Sequence, residues 1–128
     1  MLHGLQGGAY NFYHTFPYLS KYFNAIIPDM RGFGLSSQEN PAFTCEEYAT
    51  DIYLLLKELN IEKVTVYGWS FGNYISLKFA ALFPEMTKKV ILSGTLPIDG
   101  LSIYNSKNGR SPKDIFMDKE NFEKHVSY

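Results

Sequence analysis

One serine stands in a setting that could make it a nucleophile. Residues 68–72 read Gly-Trp-Ser-Phe-Gly, which fits the pattern G-x-S-x-G with Ser70 at its centre. In this pattern the serine occupies a strained turn between a strand and a helix, and its hydroxyl is exposed for attack on a carbonyl carbon. Gly68 and Gly72 allow two neighbouring backbones to approach closely. The competing interpretation is a strand–turn–helix unit in which Ser70 only caps the helix.

A second glycine-rich segment stands at the start of the chain. Residues 3–8 read His-Gly-Leu-Gln-Gly-Gly, and a loop of this kind can aim backbone N–H groups at a negatively charged oxygen. It matches neither of the glycine patterns that bind the phosphates of nucleotides. The alternative is a flexible N-terminal tail, because only Met1 and Leu2 precede the loop where a strand should stand.

A third loop follows the first candidate strand. Residues 29–36 read Asp-Met-Arg-Gly-Phe-Gly-Leu-Ser. Asp29 and Arg31 are close enough in the chain to brace this loop through a charged hydrogen bond, and Gly32 and Gly34 permit its tight turns. We interpret the segment as scaffolding, so Asp29 is not expected to act directly in catalysis.

These loops need elements that position them, and the hydrophobic pattern predicts such elements. Short runs typical of buried strands alternate with longer runs of helical period. The alternation predicts an α/β fold in which a short parallel sheet is covered by helices on both faces. The strands are expected at residues 24–28, 63–68 and 88–93, and the helices at residues 11–23, 44–59 and 71–83.

The predicted helices differ in how clearly their ends are marked. Thr44 and Glu47 have the spacing of a capping box, in which each side chain bonds the backbone N–H of the other residue. Residues 71–83 carry a single charge, which indicates a buried helix, and Pro84 ends it. The aromatic first helix contains Pro17, which must lie in the first turn or mark a break.

Composition excludes several classes of protein. The chain has 12 basic and 13 acidic residues and a net charge of −1, so nothing favours a nucleic-acid partner. Its single cysteine, Cys45, excludes an internal disulfide framework and a cysteine-based zinc site. No apolar run approaches a membrane span, and the start lacks the regions of a signal peptide. We therefore expect a cytoplasmic protein with no membrane association, and no metal or organic cofactor is implied.

The three motifs, in this order and at these intervals, resemble the α/β-hydrolase fold family, including its esterases, proline iminopeptidase-like enzymes and carbon–carbon bond hydrolases. The resemblance covers residues 1 to about 98. It implies that Ser70 is the nucleophile and that the backbone N–H groups of Leu5 and Phe71 form the oxyanion hole. His3 matches a loop-shaping residue rather than the catalytic base. The serine argues against the dehalogenase and epoxide hydrolase branches, which use aspartate at this place.

The chain departs from the family in its extent. The family builds eight strands, whereas this sequence has equivalents of the fourth, fifth and sixth and only a stub of the third at residues 1–2. We expect an incomplete hydrolase core over residues 1–98, followed over residues 99–128 by a loop and a helix that begin a cap. The expected strand order in the sheet is 24–28, 1–2, 63–68, 88–93.

The acid and the base of a catalytic triad have no clear match. Asp99 follows the 88–93 strand, where some lipase-like relatives place their acid, but an aspartate beside Gly100 is also typical of a turn. His125 is a weak candidate base on the expected cap helix, and His14 belongs to the aromatic helix. A catalytic base must reach the serine hydroxyl within hydrogen-bond distance.

The sequence thus predicts a serine-dependent hydrolase of ester or amide substrates, as a piece of a larger enzyme that is weak or inactive in isolation. One alternative is a non-catalytic fragment or binding module that keeps the fold motifs without a complete triad. Another is a split enzyme, in which a separate segment or a second copy pairs with the exposed edge of the 88–93 strand.

Overall fold

The computed structural model describes residues 1–39 and 44–94 of the chain. The expected loop and cap helix of residues 99–128, with Asp99 and His125, lie outside the described residues. Within the described part the elements follow in this order: a 3₁₀ helix Ala9–Phe12, α1 Phe16–Leu19, α2 Cys45–Glu58, β1 Val64–Trp69, α3 Phe71–Leu82 and β2 Thr87–Ser93.

A short parallel sheet forms the centre of the fold. Strands β1 and β2 pair in parallel from Val64↔Thr87 to Trp69↔Ser93. Leu2 lies on the other side of β1, because its N–H donates to the Tyr67 carbonyl at 2.7 Å and its carbonyl accepts from the Trp69 N–H at 3.0 Å. The expected stub of a strand at residues 1–2 is therefore confirmed as an isolated parallel bridge.

The predicted strand at residues 24–28 is wrong, and the sheet order of the described residues does not include it. The segment forms no ladder; the Met1 amino group donates to the Ile26 carbonyl at 2.6 Å. A strand needs a neighbour of comparable length. The contact with Met1 is a single bond, so no series of paired hydrogen bonds forms.

Helices α2 and α3 form as the sequence predicts. The Glu47 N–H donates to the Thr44 hydroxyl oxygen at 3.2 Å, and the Thr44 N–H donates to the Glu47 carboxylate at 2.9 Å, which completes the capping box. Helix α3 ends at Leu82, two residues before Pro84. Each helix buries an apolar face in the common core that includes Tyr48, Ile75 and Phe79.

The predicted helix at residues 11–23 is wrong in its length. The segment breaks into the 3₁₀ helix and the single turn α1, with Pro17 in the first turn of α1. A proline has no N–H to donate and its ring clashes with the preceding turn, so a helix cannot run through it. Tyr13, Tyr18 and Tyr22 are largely exposed, so no broad apolar face compensates for the break.

The two faces of the sheet are covered to different extents. Successive side chains of a strand point to opposite faces. Val66 lies in the core formed with α2 and α3, whereas the next residue, Tyr67, meets the Phe12 ring edge to face, with ring centroids 5.8 Å apart. The 3₁₀ helix thus covers the second face at Tyr67, whereas Thr65, Trp69 and Ile91 of the same face are exposed.

Candidate active site

Ser70 lies at the turn between β1 and α3. The strand ends at Trp69, the helix begins at Phe71, and Ser70 between them has φ 53° and ψ −116°. A non-glycine residue with positive φ is uncommon, and holding it there costs on the order of 1–3 kcal/mol. The predicted strained turn is confirmed, and mid-helix or mid-strand geometry for Ser70 is excluded.

The turn is held by a close approach of backbones that only glycine permits. A Cβ on Gly72 would overlap the carbonyl oxygen of Leu2 and lie 2.9 Å from that of His3. A Cβ on Gly68 would overlap the Gly72 carbonyl oxygen and lie 2.6 Å from its carbonyl carbon. The two glycines of the motif therefore bring the start of α3 directly against the N-terminal stub and β1.

A buried amide side chain ties the same turn to β2. The Ser70 N–H donates to the Ser93 carbonyl at 3.1 Å, and the Asn73 Nδ2 donates to the same oxygen at 2.9 Å. The Ser93 N–H in turn donates to the Asn73 Oδ1 at 3.1 Å. Sequence reasoning missed Asn73. The available signal was an asparagine in the first turn of an otherwise apolar, buried helix.

The His-Gly loop packs directly on the turn. A Cβ at Gly4 would lie 3.3 Å from the Cβ of Ser70 and 3.0 Å from the ring of Trp69. The loop turns back immediately, since the Gly7 N–H donates to the Gly4 carbonyl at 3.1 Å. Leu5 follows Gly4 in this turn.

His3 shapes this loop from within the core. Its side chain is completely buried; the Met30 N–H donates to its Nε2 at 3.1 Å, and its Nδ1 lies 2.8 Å from the Gly4 carbonyl oxygen. These partners assign the proton to Nδ1 and leave the ring neutral. Burial also lowers the pKa of His3. Both nitrogens are occupied, so His3 holds the position of a loop-shaping residue and is not placed as a base.

Asp29 joins the His-Gly loop to the Asp-Arg-Gly loop. Its carboxylate accepts the Ala9 N–H at 2.6 Å and the Leu35 N–H at 2.9 Å. Desolvation opposes ionisation of this carboxyl, but the hydrogen bonds from Leu35 and Ala9 outweigh it and hold the pKa of Asp29 below its usual value. Asp29 is thus a brace between the two loops, as its scaffolding interpretation requires.

The partner expected for Arg31 is wrong. Its guanidinium forms a two-point ion pair with Asp51 of α2, with Nε donating at 2.8 Å, rather than bracing Asp29. The Asp29 carboxylate is engaged by backbone N–H groups, which leaves the arginine to bind the nearest carboxylate of the neighbouring helix. The expected turns are confirmed by positive φ at Gly32 and Gly34, 82° and 54°.

A triad is not assembled among the described residues. In residues 1–39 and 44–94 no histidine is hydrogen-bonded to the Ser70 hydroxyl; His3 is bound as above, and the exposed His14 packs edge to face on Tyr13. The same part of the chain has no group of three metal-ligating side chains and no helix long and apolar enough to cross a bilayer.

In this site a strained serine joins a strand to a buried helix, and a glycine-rich loop packs on the serine. The sequence model of the family described as alpha/beta hydrolase fold matches residues 1–116. The chain belongs to the α/β-hydrolase fold family. It is 30% identical over 89 residues to 2-hydroxy-6-oxo-2,4-heptadienoate hydrolase of Pseudomonas putida, covering 69% of this chain and 32% of that protein. It is 29% identical over 97 residues to a soluble epoxide hydrolase of a Corynebacterium species, covering 76% and 34%.

Solved structures of α/β-hydrolases share this architecture. An N-acyl homoserine lactonase complexed with N-hexanoyl homoserine superposes with a TM-score of 0.71 at 29% identity, over 77% of this chain and 37% of that one. The chain spans 27% to 34% of the length of these curated relatives and of the Mycobacterium protein it also matches. The α/β-hydrolases it resembles differ in substrate class, so the comparisons alone do not select a branch.

The close contact at Gly72 predicts that Gly72→Val and Ser70→Ala differ in their effect on stability. Gly72→Val is expected to destabilise the chain by at least about 1–3 kcal/mol, because its branched side chain must displace the Leu2 backbone. Ser70→Ala is expected to be near neutral or stabilising, because residues at strained functional sites often trade stability for activity. Urea denaturation of both variants measures this, and equal losses of stability would contradict the assignment of the turn.

The lowered pKa of His3 predicts that the free energy of unfolding depends on pH. Because the folded pKa of His3 is lowered, the unfolded chain takes up the proton first as the pH falls below about 6.5. Stability present above that pH is therefore lost as the pH falls toward the folded pKa. We expect the free energy of unfolding to decrease with a slope of up to about 1.4 kcal/mol per pH unit in this window.

The control for this slope is His3→Gln, whose side chain is polar but does not titrate. Burial lowers the pKa of the Met1 amino group to about 6, so it adds a slope of the same sign between pH 8 and pH 6. That slope is common to both chains and cancels in the comparison. Urea melts from pH 8 to pH 5 measure the difference, and an undiminished slope in His3→Gln would show that another group titrates.

Proposed function

We propose that Ser70 is the nucleophile of a serine-dependent hydrolase that acts on ester or amide substrates. The observation that carries the proposal is the positive φ of Ser70 at the end of β1, with the Gly4 loop packed on it. A serine on such a turn presents its hydroxyl above the sheet, free of the strand and helix that hold its backbone. A serine that only capped the helix would not need a strained backbone conformation.

The chemistry follows from this placement. The Ser70 Oγ attacks the substrate carbonyl carbon, and the carbonyl oxygen takes up the negative charge. In the proposed arrangement the backbone N–H groups of Leu5 and Phe71 donate to that oxyanion. The alcohol or amine then leaves, and water hydrolyses the acyl-serine bond. Each amide donor is worth about 10²–10³-fold in rate.

Proton transfer needs groups beyond those described. The attack requires a base that accepts the proton of the Ser70 hydroxyl, and in residues 1–39 and 44–94 neither His3 nor His14 is hydrogen-bonded to it. Asp99 remains the candidate acid from the sequence. Residual catalysis without a triad is limited to about 10³–10⁴-fold over water, so we expect slow turnover if no acid and base reach Ser70.

Two observations favour alternatives. The lack of a described base supports a non-catalytic fragment or binding module. The half-exposed Ile91 on β2, which pairs only with β1 in the described part, supports association with a second copy or a separate segment. A molar mass in solution above the 14.7 kDa of one chain would favour self-association.

Covalent labelling tests the proposed nucleophile. A fluorophosphonate reacts by forming a bond between the serine Oγ and phosphorus, with fluoride leaving and the hydroxyl proton passing to solvent. We expect the label on Ser70, because its phosphonyl oxygen occupies the position of the oxyanion. Peptide mass mapping locates the label, with Ser70→Ala as the blank and the exposed Ser20 and Ser37 as internal controls.

Equal labelling of the exposed serines, or none at Ser70, would contradict the proposal and favour a non-catalytic chain. The oxyanion donor is tested by a matched pair at Leu5. Leu5→Ala keeps the backbone N–H, whereas Leu5→Pro removes it. We expect labelling of the proline variant to be about 10²–10³-fold slower than that of the alanine variant, with circular dichroism confirming that both are folded.

A further inference from the structure

Asn73 is buried where an apolar residue would be expected. It lies in the first turn of α3 with 1% of its surface exposed, among apolar neighbours that include Phe71 and Ile75. A buried amide is unfavourable unless both its donor and its acceptor are satisfied. Asn73 meets this condition through one residue, since the Ser93 backbone accepts from its Nδ2 and donates to its Oδ1.

The resulting hydrogen bonds enclose the serine. The Ser93 carbonyl oxygen accepts from both the Ser70 N–H and the Asn73 side chain, at 3.1 and 2.9 Å. The Asn73 N–H donates to the Ser70 carbonyl at 3.0 Å. The N–H and the C=O of Ser70 are thus both bound within one closed set of contacts. This set extends the pairing of β1 and β2 beyond the last register pair, Trp69↔Ser93.

We propose that Asn73 is a positioning residue that sets the direction of the Ser70 hydroxyl by locking the turn onto the last residue of β2. The inference rests on the proposed function of Ser70. An unfavourable backbone conformation persists only where its surroundings over-determine it. The contact at Gly72 limits how far α3 can move from Leu2, but it bonds neither the N–H nor the C=O of Ser70. The Asn73 side chain instead holds both backbone groups of Ser93, and the Ser93 carbonyl in turn accepts the Ser70 N–H.

A control residue is available on the same helix. Ser76 is equally buried, and its hydroxyl donates to the Gly72 carbonyl at 2.7 Å. Its bond stays within α3, so Ser76→Ala removes a buried hydrogen bond without releasing β2. A difference between Asn73→Ala and Ser76→Ala therefore reports the tie to Ser93 rather than a general loss of core stability.

Amide hydrogen exchange of the full 128-residue chain gives the first measurement. In Asn73→Ala we expect the protection factors of the Ser70 and Ser93 amides to fall at least about tenfold further than that of Val66 in the middle of β1. In Ser76→Ala the protection factors of Ser70, Ser93 and Val66 should fall by similar factors. A uniform loss in Asn73→Ala, or none at Ser70 and Ser93, would overturn the proposal.

If Asn73→Ala does not fold, Asn73→Asp tests the same tie to Ser93. An ionised carboxylate accepts from the Ser93 N–H but has no proton for the Ser93 carbonyl, whereas a protonated carboxyl restores both bonds. Burial raises the pKa of such a group, so mild acid should protonate it. We expect protection at Ser70 to recover as the pH is lowered in this variant but not in the parent chain, which contains the same His3 and Met1 titrations.

The second measurement tests whether the position of Ser70 controls its reactivity. Fluorophosphonate labelling of Ser70 is expected to slow at least about tenfold in Asn73→Ala relative to Ser76→Ala, with both chains folded by circular dichroism. Equal labelling rates would overturn the positioning role. If the parent chain is not labelled at Ser70, the proposed nucleophile fails, and the exchange measurement still decides whether Asn73 locks the turn.

Discussion

The turn at Ser70 is built around one close contact, between the backbone of Gly72 at the start of α3 and the carbonyl oxygens of Leu2 and His3. Because no side chain can stand between them, the helix begins directly beneath the N-terminal stub. Ser70 is then forced into a positive φ, and the loop after His3 is laid across it. A wider separation would relax the serine and remove the loop from it in the same movement.

Features encoded by neighbouring residues could be predicted from the sequence. The capping box of Thr44 and Glu47 and the strand–serine–helix turn are set by local spacing, and both are confirmed. Features that depend on a partner far along the chain could not be predicted from the sequence. Residues 24–28 form no ladder, and Arg31 binds a carboxylate of α2 twenty residues away. No local pattern contains that information.

The same distinction explains why the role of Asn73 could not be predicted and how the loops around Ser70 are held. Asn73 is one polar residue in an apolar helix, and its importance is visible only when Ser93 is brought beside it. His3 and Asp29 likewise act through backbone groups of Met30 and Ala9, which a sequence does not reveal. The motif glycines permit the strained turn, and these long-range bonds through buried polar groups hold it.

The proposed mechanism requires that the strained Ser70 faces an oxyanion hole built from Leu5 and Phe71. A crystal structure of the phosphonylated chain is the sharpest test of this arrangement. We expect a phosphorus atom bonded to the Ser70 Oγ and a phosphonyl oxygen about 2.7–3.1 Å from both backbone nitrogens. A phosphonyl oxygen directed away from these amides, or a serine relaxed to negative φ, would contradict it.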